Sequence, residues 1–224
     1  PGESRNTEEE ILFFPDNHSR MSMIPQNRMR AVKPPVVKMK RRKNMKYMIA
    51  SDIHGSAYYC EKMVDAMKKE QADRLILLGD LLYHGPRNDL PRDYAPKKVI
   101  VMLNDLKNCI YSVRGNCDTE VDQMVLDFPV MADYGFFEIG GKSIYCSHGH
   151  VYNENHLPPL KQGDIFMHGH THVLQVKKVN GITILNPGSV SIPKEGNPPT
   201  YAVLEDDVFT IKTFEDEIIK EYRI

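Results

Sequence analysis

From residue 45 onward, apolar and polar positions fall into short blocks whose period switches between that of a strand and that of a helix. Residues 46–51 form a short apolar run that reads as a strand. Residues 56–70 place Tyr59, Met63, Ala66 and Met67 at helical spacing. Residues 74–78, rich in Leu and Ile, predict a second strand. Residues 96–106 open with Pro96 and set Val99, Ile100, Leu103 and Leu106 on one face, which predicts a helix with proline in its first turn. A third strand is expected at 110–113 and a short helix at 119–126. This alternation of strand and helix implies a largely parallel sheet with helical cover. The second half is strand-rich, with expected strands at 136–139, 143–146, 165–167, 173–179, 182–185, 201–205, 208–214 and 218–223. Gly140-Gly141 and Asn180-Gly181 are hairpin signals, and Asp206-Asp207 and 215–217 are further turns. Alternation in 208–214, carried by Val208, Ile211 and Phe214, is imperfect. Together the halves predict an α/β domain of two packed sheets with helices outside, without an internal repeat.

Residues 1–44 break this pattern. They mix Pro15, Pro25, Pro34 and Pro35 with polar residues, show no sustained period, and end in the basic run 38–43. Such a run fits an anionic-surface or nucleic-acid tail; composition alone fits a disordered leader or a non-native extension. The second reading is favoured. Lys-Arg-Arg-Lys-Asn before Met45 is what a purine-rich ribosome-binding site would encode, so the expectation is a domain of 45–224 preceded by a leader at 1–44.

Charge sharpens the division. The leader holds 10 basic and 5 acidic residues, leaving 19 of the 29 basic and 25 of the 30 acidic residues to the rest. A negative body disfavours non-specific nucleic-acid binding, which needs phosphate neutralisation. Four scattered cysteines, none in a CxxC pair, fit a reduced cytoplasmic protein. No apolar run approaches a membrane span.

The chemistry lies in five short clusters: Asp52-Ile-His54, Gly79-Asp80, Gly115-Asn116-Cys117-Asp118, His148-Gly-His150 and Gly169-His170-Thr-His172. Most follow an expected strand. Strand ends in a layered α/β protein converge on one rim, so these residues can meet in space. Each cluster alone has an ordinary explanation: a surface Asp-x-His pair, a turn or capping Asp or Asn, a structural histidine. Five together, beside glycines that allow close backbone approach, supply carboxylates, an amide and imidazoles suited to divalent transition metals. Asp118 either orients a neighbouring ligand or caps the next helix. His84 and Arg87, in the loop after Asp80, are candidates to face a phosphate. Asn186-Pro-Gly-Ser189 either lines the site or is a structural turn.

The combination D-x-H, G-D, G-N-x-D, H-G-H and G-H-T-H resembles the calcineurin-like metallophosphoesterase superfamily. The segment 79–88 and Asn186-Pro-Gly-Ser189 are similar to its YfcE-type bacterial phosphodiesterases. The resemblance covers Met45 to the C-terminus. It implies a four-layer sandwich of two mixed β-sheets flanked by helices. It implies one metal on Asp52, His54, Asp80 and His172, with Asp80 bridging to a second held by Asn116, His148 and His170. The implied activity is hydrolysis of small phosphodiesters by a metal-bridging hydroxide, with Mn first and Zn or Fe behind it. Phosphomonoester hydrolysis is the enzymatic alternative, and a non-catalytic scaffold of the same fold is another. Related proteins often self-associate, so a homo-oligomer is a further expectation.

One position departs from the wider superfamily. A histidine commonly follows the asparagine, whereas here Cys117 does, as in YfcE-type members. Asp80, Asn116, Cys117 and Asp118 are the expected catalytic set, and Arg87, His84 and His150 the substrate-contacting one. His84, His150 and His156 are candidates for the missing acid. Cys117 is either an activated thiol or a small packing residue.

Overall fold

A computed structural model describes residues 45–139 and 141–224. The expectations for 1–44 lie outside the described residues. The chain order is β1 (Tyr47–Ala50), α1 (Ala57–Glu70), β2 (Arg74–Leu77), α2 (Pro96–Asp105), β3 (Ile110–Ser112), α3 (Glu120–Gln123), β4 (Tyr134–Ile139), β5 (Lys142–Ser147), β6 (Ile165–Met167), β7 (Gln175–Val179), β8 (Ile182–Asn186), β9 (Thr200–Glu205), β10 (Val208–Thr213) and β11 (Ile218–Arg223). A 3-10 turn, Lys107–Cys109, links α2 to β3.

Two mixed sheets form, in strand orders β11-β10-β9-β1-β2-β3 and β4-β5-β6-β8-β7. In the first, β1, β2 and β3 are parallel and β9 joins β1 antiparallel. In the second, β5, β6 and β8 are parallel, with β4 and β7 antiparallel at the edges. The period of two explains the layering. Met48 and Ala50 on β1, with Leu75 and Leu77 on β2, pack beneath α1 and α2. Ile49, Ile76 and Leu78 point the other way, against Ile144, Cys146, Ile165 and Met167 of the second sheet. Strands buried on both faces read as continuous apolar runs, as these do. The first sheet thus has the expected helical cover. On the second sheet Tyr145, Phe166, Ile182 and Ile184 are covered by Tyr152, Leu157 and Leu160 from the irregular segment before β6, which forms the fourth layer.

Local chemistry sets the helix ends. Ser56 caps α1 by accepting from Tyr59 N–H, and Gln71 ends it in a left-handed conformation. Its buried face is Ala57, Cys60, Met63 and Met67, with Tyr59 and Ala66 flanking. α3 is shorter than the expected 119–126. Gln123 turns back to bond Leu126 O, Phe128 O and Val130 N, and the chain leaves the helix there. On β10 the buried positions are Phe209, Ile211 and Thr213, not Val208, Ile211 and Phe214. The β9–β10 turn fixes the parity, pairing Val208 with Glu205. Phe209 is fully buried between the sheets, so truncating it to Ala should cost about 3–5 kcal/mol. β10 is therefore part of the core, whereas β11 is mostly exposed.

Candidate metal centre

The carboxyl ends of the parallel strands in both sheets deliver the five clusters to one place. The loops after β1 and β2 are zipped together: Asp52 N–H donates to Gly79 O at 3.1 Å and His54 N–H to Asp80 O at 3.0 Å. Five donors adopt positive φ: Asp52 (59°), His54 (50°), Asp80 (57°), His170 (64°) and His172 (60°). That region is sparsely populated by non-glycine residues, although Asp and His visit it more than most. Neighbouring glycines make room. A Cβ at Gly115 would lie 2.1 Å from Asp80 Oδ1, and one at Gly169 1.9 Å from Ser51 Oγ.

Two sets of donor atoms result. Around Asp52 Oδ1, His54 Nε2 lies at 3.6 Å and His172 Nε2 at 3.3 Å, with 3.3 Å between the two imidazole nitrogens. Around His148 Nε2, Asn116 Oδ1 lies at 3.1 Å, His170 Nδ1 at 3.2 Å and Asp80 Oδ2 at 3.3 Å. Asp80 Oδ2 is also 3.7 Å from His54 Nε2, so it stands between the sets. Such separations are those of atoms sharing an ion at about 2.0–2.2 Å each. Asp52, His54 and His172 form one group able to hold a metal, and Asp52, Asp80 and His148 another. Cys117 Sγ also comes within reach of the His54 and Asp80 donors.

The tautomers point the same way. Nδ1 of His54 bonds Tyr83 O at 2.7 Å, that of His148 bonds Leu78 O at 2.6 Å and that of His172 bonds Ile192 O at 2.7 Å. A carbonyl only accepts, so each Nδ1 carries the proton and each neutral ring turns an Nε2 lone pair inward. Two such lone pairs 3.3 Å apart repel unless a cation lies between them. Asp52 Oδ1 is buried without a hydrogen-bond partner, an orphan that a cation would satisfy. The residues therefore fit divalent metal ions.

Protonation tells the same story. Burial alone would raise the Asp52 and Asp80 carboxyls. The adjacent imidazoles, His172, His54 and His148 beside Asp52 and His148 beside Asp80, overcome it, and both carboxyls sit below the ordinary range. Burial opposes the charged form of His148, yet Asp80 and Asp52 push it up to about 9. His54 is likewise raised against burial, chiefly by Asp52. Burial, then the charge of His148, lowers His170 to about 4. Without metal, this site draws protons to where positive charge belongs.

Around the donors stands a brace. Asp118, buried, accepts from Asp80 N at 2.8 Å, Gly115 N at 2.7 Å and Leu81 N at 2.8 Å. Burial raises its carboxyl although these donors oppose the shift. Of the two roles open in the sequence, Asp118 takes the orienting position, and Thr119 caps α3 instead. Ser189 and Ser191 hydroxyls both donate to Asp52 O at 3.0 Å, and Asn186 Nδ2 donates to Gly169 O at 2.9 Å. The 186–189 segment thus ties the first and last donor loops together. Cys117 is buried, and burial first pushes its thiol up to about 12.

A cleft of about 400 Å³ opens over the centre, lined by Asp80, Arg87, Asn88, Asn116, Cys117, His170, His172 and Lys194, among others. Arg87 thus reaches the cleft. His84, packed between Tyr83 and Tyr94, and His150, beside His148 and His170, are outside that lining. His156 lies against Tyr152 and bonds Val151 O, in the segment outside the second sheet. Asn88 and Lys194 escaped the sequence reading because neither follows a strand directly. His168 was missed too: it is buried, stacked on Phe166, with Nε2 unpartnered.

Comparison with known proteins agrees with this geometry. A model of the calcineurin-like phosphoesterase superfamily domain matches residues 45–207. Phosphodiesterase YfcE of Escherichia coli K12 is 44% identical over 175 residues, spanning 78% of this chain and 95% of that protein. The solved structure of the E. coli YfcE phosphoesterase superposes with a TM-score of 0.78 at 43% identity, covering 80% of this chain and 100% of that one. Vps29 of Cryptosporidium parvum, at 17% identity over 81% of this chain and 100% of its own, shares the fold with a TM-score of 0.54. The chain belongs to the calcineurin-like phosphoesterase superfamily.

Proposed function

We propose that the protein is a metal-dependent phosphodiesterase acting on small phosphodiesters at a centre of two divalent ions. The observation that carries this reading is the pair of donor sets meeting at Asp80 Oδ2. Asp52, His54, His172 and Asp80 would hold one ion, and Asp80, Asn116, His148 and His170 the other. Mixed nitrogen and oxygen donors suit Mn first, with Zn or Fe behind it, over Mg or Ca. When bound, such ions acidify a water and neutralise charge on phosphoryl oxygens. The chain's residues do the rest. Asp118 and the 186–189 brace fix the donor loops, and Asn116 and Cys117 line the cleft that would take the phosphoryl group.

The catalytic unit is 45–224, since every proposed ligand lies at or beyond Asp52 and the family match begins at residue 45. Among the described residues no helix is long and apolar enough to cross a membrane, and Cys60, Cys109, Cys117 and Cys146 are free. These features support a cytoplasmic setting. The deciding experiment is chelation followed by metal return, using bis(p-nitrophenyl) phosphate. Activity should vanish with chelator, return with Mn, and stay absent in Asp80→Ala, which removes the shared donor. Full turnover by protein shown metal-free by elemental analysis would overturn the reading.

A further inference from the structure

The cleft has a floor and a lip of different character. Asp80, Cys117 and His172 on the floor are buried. Arg87 and Lys194 line the same cleft but are exposed. They arrive on separate loops, Arg87 after β2 and Lys194 after β8. Both loops are tied to the donor frame. Lys194 N–H donates to His172 O at 3.1 Å. Gly85 packs on Cys117, where an added Cβ would lie 3.1 Å from Sγ. Asn88 closes the turn carrying Arg87, its side chain donating to His84 O at 2.8 Å. The backbones of the two cations are thus fixed while their side chains face the opening.

Neither cation makes an ion pair among the described residues. Lys46, Lys62, Lys107, Arg114 and Arg223 each do, with Glu205, Glu215, Asp127, Asp133 and Asp207. Asp80 is the one carboxylate in the cleft lining, and it is committed to the donor cluster. Asp89 and Glu195, nearby in sequence, are outside the lining. Two unpaired cations thus border the cleft, although residues 45–224 as a whole hold more acidic than basic residues.

A phosphodiester carries a single negative charge at its reacting phosphorus, and the buried floor already addresses that group. The lip supplies positive charge beyond this demand. We propose that Arg87 and Lys194 recognise a second oxyanion, a carboxylate or phosphate, on the arm of the diester that is not expelled. The preferred substrates are then diesters bearing a further anionic group. This inference rests on the phosphodiesterase reading and specifies its substrate class. Arg suits oxyanions through its planar fork of donors, and Lys through a mobile point charge.

The test holds the leaving group constant. Metal-loaded enzyme is given p-nitrophenyl alkyl phosphates whose alkyl arm ends in a carboxylate, a phosphate, a hydroxyl or an ammonium. The anionic arms should exceed the hydroxyl arm in kcat/KM by about 5–30-fold, as two solvent-screened ion pairs would give. The ammonium arm should fall below the hydroxyl arm. Added salt should shrink the anionic preference, and the double variant Arg87→Met, Lys194→Met should bring the ratio toward one. Equal rates for all arms in the wild type, or a double variant that slows every ester while keeping the ratio, would overturn the proposal. A carboxylate-only or phosphate-only preference would identify which oxyanion the lip reads. A readout without turnover separates this inference from the parent reading: calorimetry of 4-phosphonobutyrate against butylphosphonate. Tighter binding of the former by wild type, lost in the double variant, supports the lip even if no diester is cleaved. Equal binding sinks it.

Discussion

Replacing Asp118 by Asn changes one atom in a buried carboxylate, and the structure fixes what that atom was doing. Oδ2 accepts from Asp80 N and Gly115 N; Oδ1 accepts from Leu81 N. The amide has one acceptor oxygen. Turned toward Asp80 and Gly115 it keeps two bonds, but its NH2 then faces Leu81 N–H, donor against donor. Turned the other way it loses two. Hydrogen bonds to a charged acceptor are worth about 1.5–3 kcal/mol, and a buried donor left unpaired costs about 1–3 kcal/mol. The better orientation therefore costs about 3 kcal/mol. In a domain of this size each kcal/mol moves the melting temperature by roughly 2–4 °C, so the variant should melt roughly 6–12 °C lower. Function should suffer as well, because the clamp joins the loops carrying Asp80 and Asn116. Loss of such an orienting contact typically weakens metal affinity about 10–100-fold. Calorimetric metal titration and kcat/KM at limiting and saturating metal would read this. Saturating metal should recover part of kcat. An Asn variant that melts within a degree or two of wild type and binds metal equally well would refute the clamp.

Other outcomes follow from the same geometry. His148 is raised from 6.5 to about 9, so its protonated form stabilises the metal-free fold fully below pH 6.5, and that contribution is lost as pH rises through 9. Metal-free protein should therefore melt lower at pH 9.5 than at pH 6.5, and metal binding should release a proton within that window; buffer-dependent calorimetry without proton release would contradict it. Cys117, with its thiol pushed up to about 12, is a weak proton donor, so aryl diesters should react far faster than alkyl ones, by as much as about 10²–10⁴-fold, the usual worth of a general acid. Cys117→His should narrow that gap; a flat plot of log kcat/KM against leaving-group pKa in wild type would point to another acid. A chain starting at Met45 should keep specific activity and melting temperature; loss of most of the activity would assign residues 1–44 a place in the catalytic unit.

Much of the site was legible because its residues sit at strand ends, where an apolar run stops and a Gly beside Asp, Asn or His marks a tight exit. The periodicity located β1, β2, α2 and β6 closely because each is a short, strongly patterned block, whereas β11, mostly exposed, was placed by the turn at 215–217. Sheet membership was another matter. β9 to β11 follow the strands of the second sheet in sequence yet return to the first, where Tyr47 pairs with Leu204. Residues 200–204 are all buried, which tells that both faces of β9 are covered but not by what. The Asp118 clamp was equally hidden. Its partners are the backbone N–H groups of Asp80, Leu81 and Gly115, which the sequence cannot place. Lys194 sits in a loop without apolar pattern, and its hydrogen bond to His172 O ties it to the cleft.

One architecture can host unrelated functions, so the source of function is a physical question. Here the answer lies in what the centre costs the chain. Five donor residues hold left-handed backbone, at roughly 1–2 kcal/mol each for an ordinary residue and somewhat less for Asp and His. Two buried carboxylates lie among four imidazoles, three of which are locked by carbonyls into turning Nε2 inward. Left alone, this arrangement strains the backbone and crowds lone pairs. Its cost is a sizeable part of the 5–15 kcal/mol by which a domain is stable. Divalent ions at these donors would reverse the balance: they would satisfy Asp52 Oδ1, separate His54 Nε2 from His172 Nε2 and replace the proton on His148. A scaffold would gain nothing from that strain without the ions. On that reading folding and loading are coupled, and the donors open onto the cleft lined by Arg87 and Lys194.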